Sequence, residues 1–204
     1  MNIENALDKL NALLPLKERQ QALQLKYRES HRDILNSFAS KGKAPDNIEQ
    51  SVLNTLSEND LVVLGEHGEV VGAYPFSLRE TAHQVFNDSF NLYAMCAFDA
   101  IAIAPVFNIQ TNIISRCHLS NEIIEVTHNV KHVTNVQPSK NIYIGIRWQS
   151  AGSCAADNLC MEMVFLKDEQ TAIQWQNNDQ KFSIFALNDA IEFAVKYFKP
   201  LLTD

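Results

Sequence analysis

Apolar residues at Ile3, Leu7, Leu10 and Leu14 recur at helical spacing and stop before Pro15, which predicts a first helix. A second helical pattern runs from about Leu16 to Phe38, and Lys41-Gly42-Lys43 ends it. Asp46 and Glu49 are spaced like a capping box, opening a short helix through Leu56. Two β-rich runs, Leu61–Leu64 and Val70–Tyr74, flank the turn Glu66-His67-Gly68-Glu69 and predict a hairpin. Pro75–Ser77 reads as a boundary, and Leu78–Phe90 is mixed, with Arg79, Glu80 and His83 giving it polar character. The longest apolar run, Leu92–Pro105, predicts a buried helix with Asn91 as its cap and Pro105 as its stop. Short β-like runs follow at Asn112–Ser115, Ile123–Thr127, Asn141–Trp148 and Met161–Leu166, separated by turn-rich pieces at Gln137-Pro138-Ser139 and Ser150–Asn158. Asp168 is placed to cap a helix over Glu169–Gln176. A last amphipathic helix from Leu187 to Leu202 gathers Ile191, Ala194, Val195, Phe198 and Leu202 on one side.

This order predicts an α+β fold: a winged-helix-like helical module over residues 1–76, then a core over residues 77–204 with a mixed sheet flanked by helices. A winged helix raises the question of DNA, and Lys17–Lys43 carries seven basic residues against three acidic ones. The would-be recognition helix, Ile48–Leu56, answers it. Glu49, Gln50, Ser51 and Asn54 stand there, with no Arg or Lys for phosphates or base edges. DNA is therefore not the expected partner.

Composition narrows the class. A charge of −7 over 204 residues argues against broad binding to nucleic acid or anionic membranes. No run is long enough to span a membrane, and the first fourteen residues do not read as a secretion signal. Cys96, Cys117, Cys154 and Cys160 are accordingly read as reduced thiols of a cytoplasmic protein rather than a disulfide framework.

Candidate chemistry begins inside the apolar run. Asp99 places a carboxylate where burial costs several kcal/mol unless the group is paired, hydrogen-bonded or protonated. Cys96 lies three residues earlier, about one helical turn away. A small buried Cys is ordinary core filler, but filler does not account for the carboxylate at the next turn. Cys160 opens the run Met161–Leu166 beside a loop, where sites are often assembled. Cys154 is expected in an exposed loop and Cys117 to pack behind a strand. The spacings match no zinc pattern, phosphate loop or nucleophile elbow. A Cys-His hydrolase would draw its base from His118 or His128, which qualify by residue type alone.

Taken together, the hairpin and following segment Gly68–Thr81, the run Leu92–Asp99, Ser115-Arg116-Cys117, Cys160 with Val164-Phe165, and the closing helix Asp189–Leu202 resemble the bacterial organomercurial (alkylmercury) lyases. The resemblance covers about Gly65 to the C-terminus, and more weakly the N-terminal helices. It implies that Cys96 and Cys160 bind the soft mercury of an R–Hg⁺ substrate as thiolates. It implies that Asp99 first helps deprotonate a thiol and then protonates the leaving carbon, releasing a hydrocarbon. Hg(II) is then held by Cys96, Asp99 and Cys160 until soluble thiols or a mercuric reductase take it. Mercury enters with the substrate, and no organic cofactor is implied. Met95 stands where well-known members carry an aromatic residue, Met161 replaces a second cysteine found in some members, and the Ser150–Asn158 loop with Cys154 is unlike the family's. The alternative from another class is a non-catalytic thiol-based metal-binding protein or metal-responsive regulator on the same fold.

Overall fold

A computed structural model describes residues 2–150 and 154–203, so three residues of the Ser150–Asn158 loop lie outside the described residues. The chain opens with α1 (Ile3–Leu13), α2 (Leu16–Ala22), α3 (Leu25–Lys41) and α4 (Gln50–Glu58). Asn2 caps α1 through its side chain, which accepts the Asn5 N–H. The single helix expected over Leu16–Phe38 is two helices, because Leu23 and Gln24 turn extended between them. Gly42 does end α3, in the left-handed region at φ 69°, where a side chain would also strike Phe90. The Asp46/Glu49 capping box does not form. Glu49 itself is the N-cap of α4 without a side-chain bond, and Asp46 pairs with Lys43 instead.

The expected hairpin is β1 (Val63–Leu64) with β2 (Val70–Ala73). It continues directly into β3 (Phe76–Ser77), which pairs with β2. Next come β4 (Gln84–Phe86), inside the segment read as mixed, and β5 (Asn91–Ala94). The apolar run is thus not one helix. Asn91–Ala94 alternates exposed and buried as a strand between β3 and β4, and helix α5 starts only at Ala97. An unbroken apolar run cannot reveal by periodicity where a buried strand gives way to a buried helix. Nor do Asn91 and Pro105 play the parts expected of them. Cys96 is the N-cap, Pro105 sits inside α5, and Asn108 at φ 55° closes the helix at Phe107.

The remaining elements are β6 (Thr111–Arg116), β7 (Ile123–His128), β8 (Val133–Gln137), β9 (Tyr143–Arg147), β10 (Met163–Leu166), α6 (Glu169–Gln176), β11 (Phe182–Ala186) and α7 (Leu187–Phe198). Strands β8 and β11 were not expected from the sequence; β8 is a polar edge strand with little apolar alternation. Asp168 caps α6 by accepting the Thr171 N–H, as its position implied. One antiparallel sheet runs β1-β2-β3-β5-β4-β6-β7-β8, and a second runs β10-β9-β11. Helix α5 lies buried between these layers and packs on α7, where Phe98 meets Phe193 at a ring separation of 4.6 Å and Phe198 at 5.8 Å. Burying a ring of this size contributes about 1.5–3 kcal/mol. No helix among the described residues is long and apolar enough to cross a membrane.

Candidate active site

Cys96 ends up at a junction. Strand β5 delivers the chain to it and α5 leaves from it, so the thiol occupies the N-cap of a buried helix. Its sulfur accepts the Asp99 backbone N–H at 3.4 Å and its S–H donates to Asp99 Oδ2 at 3.0 Å. This is a capping box built from a thiol and a carboxylate, with Asp99 in the third position of the helix. The spacing of three thus serves a helix end rather than a helix face.

Cys160 comes from the opposite layer. The strand expected from Met161 begins only at Met163. Before it lie two short 3-10 turns, Ala155–Asp157 and Leu159–Glu162, and Cys160 sits on the second. The ligand atoms of Cys96, Asp99 and Cys160 all lie within 4.8 Å of one another. All three residues are buried, at 1%, 2% and 4% exposure. Among the described residues they form the one group of three or more His, Cys, Asp or Glu side chains that could share a metal atom.

The electrostatics favour stored protons. Burial raises the Asp99 carboxyl to about 7, against the hydrogen bonds from Cys96 and Cys160, which favour its charged form. Burial pushes the Cys96 thiol well above its ordinary value, with Cys160 and Asp99 adding to the effect. The neighbouring Cys96 favours a Cys160 thiolate, but burial and the nearby acids, Asp99 foremost, leave Cys160 raised as well. Asp99 is therefore the group of this cluster that changes its charge near neutral pH, and the Cys96 S–H already donates to it. The N-terminus of α5 supplies a partial positive charge where thiolate and carboxylate charge would develop.

A cavity of about 510 Å³ meets this cluster at Cys160. Met95, Met163, Val71 and Phe165 give it an apolar wall, and Arg79, Arg116 and His118 line it on other sides. Met163, which sequence reasoning did not single out, puts its sulfur 3.7 Å from that of Cys96. His83 also reaches the cavity, with Nδ1 2.8 Å from Ser115 Oγ. Neither histidine proposed as a base sits at the thiols: His118 stands edge-on to Trp175, and His128 is held by the Asn129 carbonyl. Cys117 is buried. Cys154 is half-buried rather than exposed. No sequence signal distinguishes Met163 from any other core methionine.

Residues 76–199 match the family model for alkylmercury lyase. Two relatives, each described as an alkylmercury lyase, one from Bacillus cereus and one from Clostridium butyricum, are 27% identical over 143 residues, or 70% of this chain. The chain spans 65% of the length of each of these relatives. A crystal structure of the mercury-bound form of MerB2 superimposes with a TM-score of 0.75 at 22% identity, covering 92% of this chain and 98% of that one.

Proposed function

The chain belongs to the alkylmercury lyase family, and on that premise we propose that it cleaves carbon–mercury bonds by protonolysis, using Cys96, Cys160 and Asp99. The observation that supports this reading best is the meeting of two thiols and one carboxyl within 4.8 Å, with one of the thiols, Cys160, opening onto a cavity that has an apolar wall. Soft thiolates suit mercury, the carboxyl is poised to carry a proton, and the cavity has room for the organic group.

The substrate is an organomercurial carried on a soluble thiol, R–Hg–SR′. One cysteine thiolate displaces R′S⁻, which leaves as R′SH with the proton that cysteine gave up. The second cysteine passes its proton to ionised Asp99 and its sulfur joins mercury, raising electron density on the Hg–C bond. Asp99 then delivers that proton to carbon, R–H departs, and Hg(II) remains on two thiolates with Asp99 ionised again. Soluble thiols or a mercuric reductase would take the Hg(II). Mercury arrives as substrate, and the step calls for no organic cofactor. The thiols must stay reduced, which fits a cytoplasmic setting.

Residues 1–76 are read as a winged-helix-like module with a structural role. Four helices followed by the β1–β2 hairpin support that reading, and α4, which carries no Arg or Lys, argues against DNA as a partner.

The test is a headspace assay. Purified protein is given methylmercury or phenylmercury with excess thiol, and methane or benzene is followed by gas chromatography beside an Asp99→Ala variant. Hydrocarbon from the native protein and none from the variant supports both the reaction and its acid. Tight mercury binding with no hydrocarbon from either would replace the lyase reading with that of a metal-binding protein.

A further inference from the structure

Cys160 reaches the cluster on two 3-10 turns rather than on a regular element, so something must fix where those turns sit. The backbone N–H of Ala155 donates to Asp60 Oδ2 at 3.2 Å, and that of Ala156 donates to the Tyr74 hydroxyl at 2.9 Å. Tyr74 in turn donates to Asp60 Oδ1 at 3.1 Å, and Arg19 Nη1 holds Asp60 Oδ2 at 3.1 Å. Asp60 and Tyr74 are both buried, at 7% and 2% exposure. Asp60 follows α4 in the left-handed region, at φ 54°. Arg19 lies on α2, and Tyr74 follows β2. Two separate parts of the N-terminal segment therefore reach one turn of the catalytic core, and a third, Arg19, is tied to that turn through Asp60. From that turn the bonds run on toward the thiol: Asn158 N–H to the Ala155 carbonyl at 3.2 Å, Asn158 Nδ2 to the Cys154 carbonyl at 3.0 Å, and Met161 N–H to the Asn158 carbonyl at 3.1 Å.

We propose that Asp60 and Tyr74 are positioning residues, which act through the Ala155–Ala156 turn to hold the Cys160 sulfur within reach of Cys96 and Asp99. The proposal rests on the lyase reading for its catalytic consequence, but not for its structural one. Burial, with the acidic groups around it, keeps the Tyr74 hydroxyl protonated, so it remains a donor to Asp60 and an acceptor for Ala156. A buried carboxylate accepting from a guanidinium, a phenol and a backbone N–H is a fixed point, because each bond to a charged acceptor is stronger than a neutral one. The N-terminal segment thereby gains a part in the active site that DNA reading does not supply.

Asp60→Asn and Tyr74→Phe test it. Asn tolerates the left-handed backbone at position 60, yet its amide cannot offer two acceptor oxygens. Tyr74→Phe deletes a single oxygen. In both variants, iodoacetamide labelling read peptide by peptide should modify Cys160 about ten-fold faster than in the native protein, with Cys117 labelling unchanged. One equivalent of Hg(II) should give a weaker thiolate-to-mercury ultraviolet absorption. Hydrocarbon release should fall about ten-fold, the size expected when a hydrogen bond to a charged group is lost. Circular dichroism checks folding, and if Asp60→Asn does not fold, Tyr74→Phe decides. Folded variants with native Cys160 labelling and native mercury absorption would overturn the proposal. If the native protein releases no hydrocarbon, the lyase reading fails while the labelling and absorption still judge the brace.

Discussion

The Cys96 thiol donates to the Asp99 carboxylate across 3.0 Å while its sulfur accepts the backbone N–H of the same residue at 3.4 Å. The contact that ends the helix is thus also the contact along which a proton can pass. Mutating either residue therefore touches both the cap and the chemistry.

In the proposed reaction Asp99 must be ionised to take the thiol proton, and its pKa is raised to about 7, chiefly by burial. Hydrocarbon release at limiting substrate should therefore rise about ten-fold per pH unit below neutrality and level off above it. Both reactive thiols are held above their ordinary values, so they remain protonated across this range. Rates measured from pH 5.5 to 8.5 check this, and a rate that falls with rising pH would exclude Asp99 as the proton acceptor.

Stability should run the opposite way. Between the ordinary value of 3.8 and about 7, the folded state keeps a proton on Asp99 that the unfolded chain has lost. Its contribution to stability is therefore greatest at acid pH and disappears as pH rises through about 7. Replacing Asp99 with Asn removes that dependence, so the inactive variant should be more stable than the native protein at pH 8, by an amount on the order of a few kcal/mol. Denaturant melts at pH 5 and pH 8 decide the matter; parallel pH dependences for the two proteins would contradict it.

Cys96→Ser and Cys160→Ser should each abolish hydrocarbon release, because a hydroxyl is a poor ligand for mercury. Each should fold, at a cost of about 1–3 kcal/mol for a buried hydroxyl. Titration with Hg(II) should show that one thiolate holds it more weakly than two. Turnover surviving in Cys160→Ser would remove that residue from the mechanism.

Gly72 tunes the cavity. A Cβ at this position would stand 2.7 Å from Met95 Cε and 3.0 Å from the Phe76 carbonyl oxygen. Because Met95 lines the cavity and its methyl is the far end of a flexible side chain, Gly72→Ala should displace that end at the expense of the space for the organic group. The expected result is a several-fold larger loss with phenylmercury than with methylmercury, about 1 kcal/mol of discrimination. Equal losses with both substrates would point to a general disturbance of β2 instead.

Much of the site was legible in the residue types. Cys96 and Asp99 stood out because a carboxylate inside an apolar run needs a reason, and Cys160 stood out because a loop precedes it and a strand follows. The supporting residues gave no such signal. Met163 reads as a core methionine and Tyr74 as the end of a strand. Asp60 reads as a polar residue after a helix, and its burial follows from the turns that close over it. Periodicity also misplaced the Leu92–Pro105 helix, since its first residues are a strand inside a sheet that runs without a polar break into a buried helix.

The sequence by itself determined the local elements with strong periodicity or caps, such as α1, α6 and α7, and the residue types able to carry mercury chemistry. Only the tertiary structure decided where they meet. Cys160 is 61 residues beyond Asp99, on turns with no regular pattern, and it reaches the cluster because β10 packs against α5 while Asp60 and Tyr74 hold the turns before it. Helix and strand periods record which face of an element is buried. They carry no information about which distant element will cover it, or about the buried hydrogen bonds that fix the distance between two sulfurs.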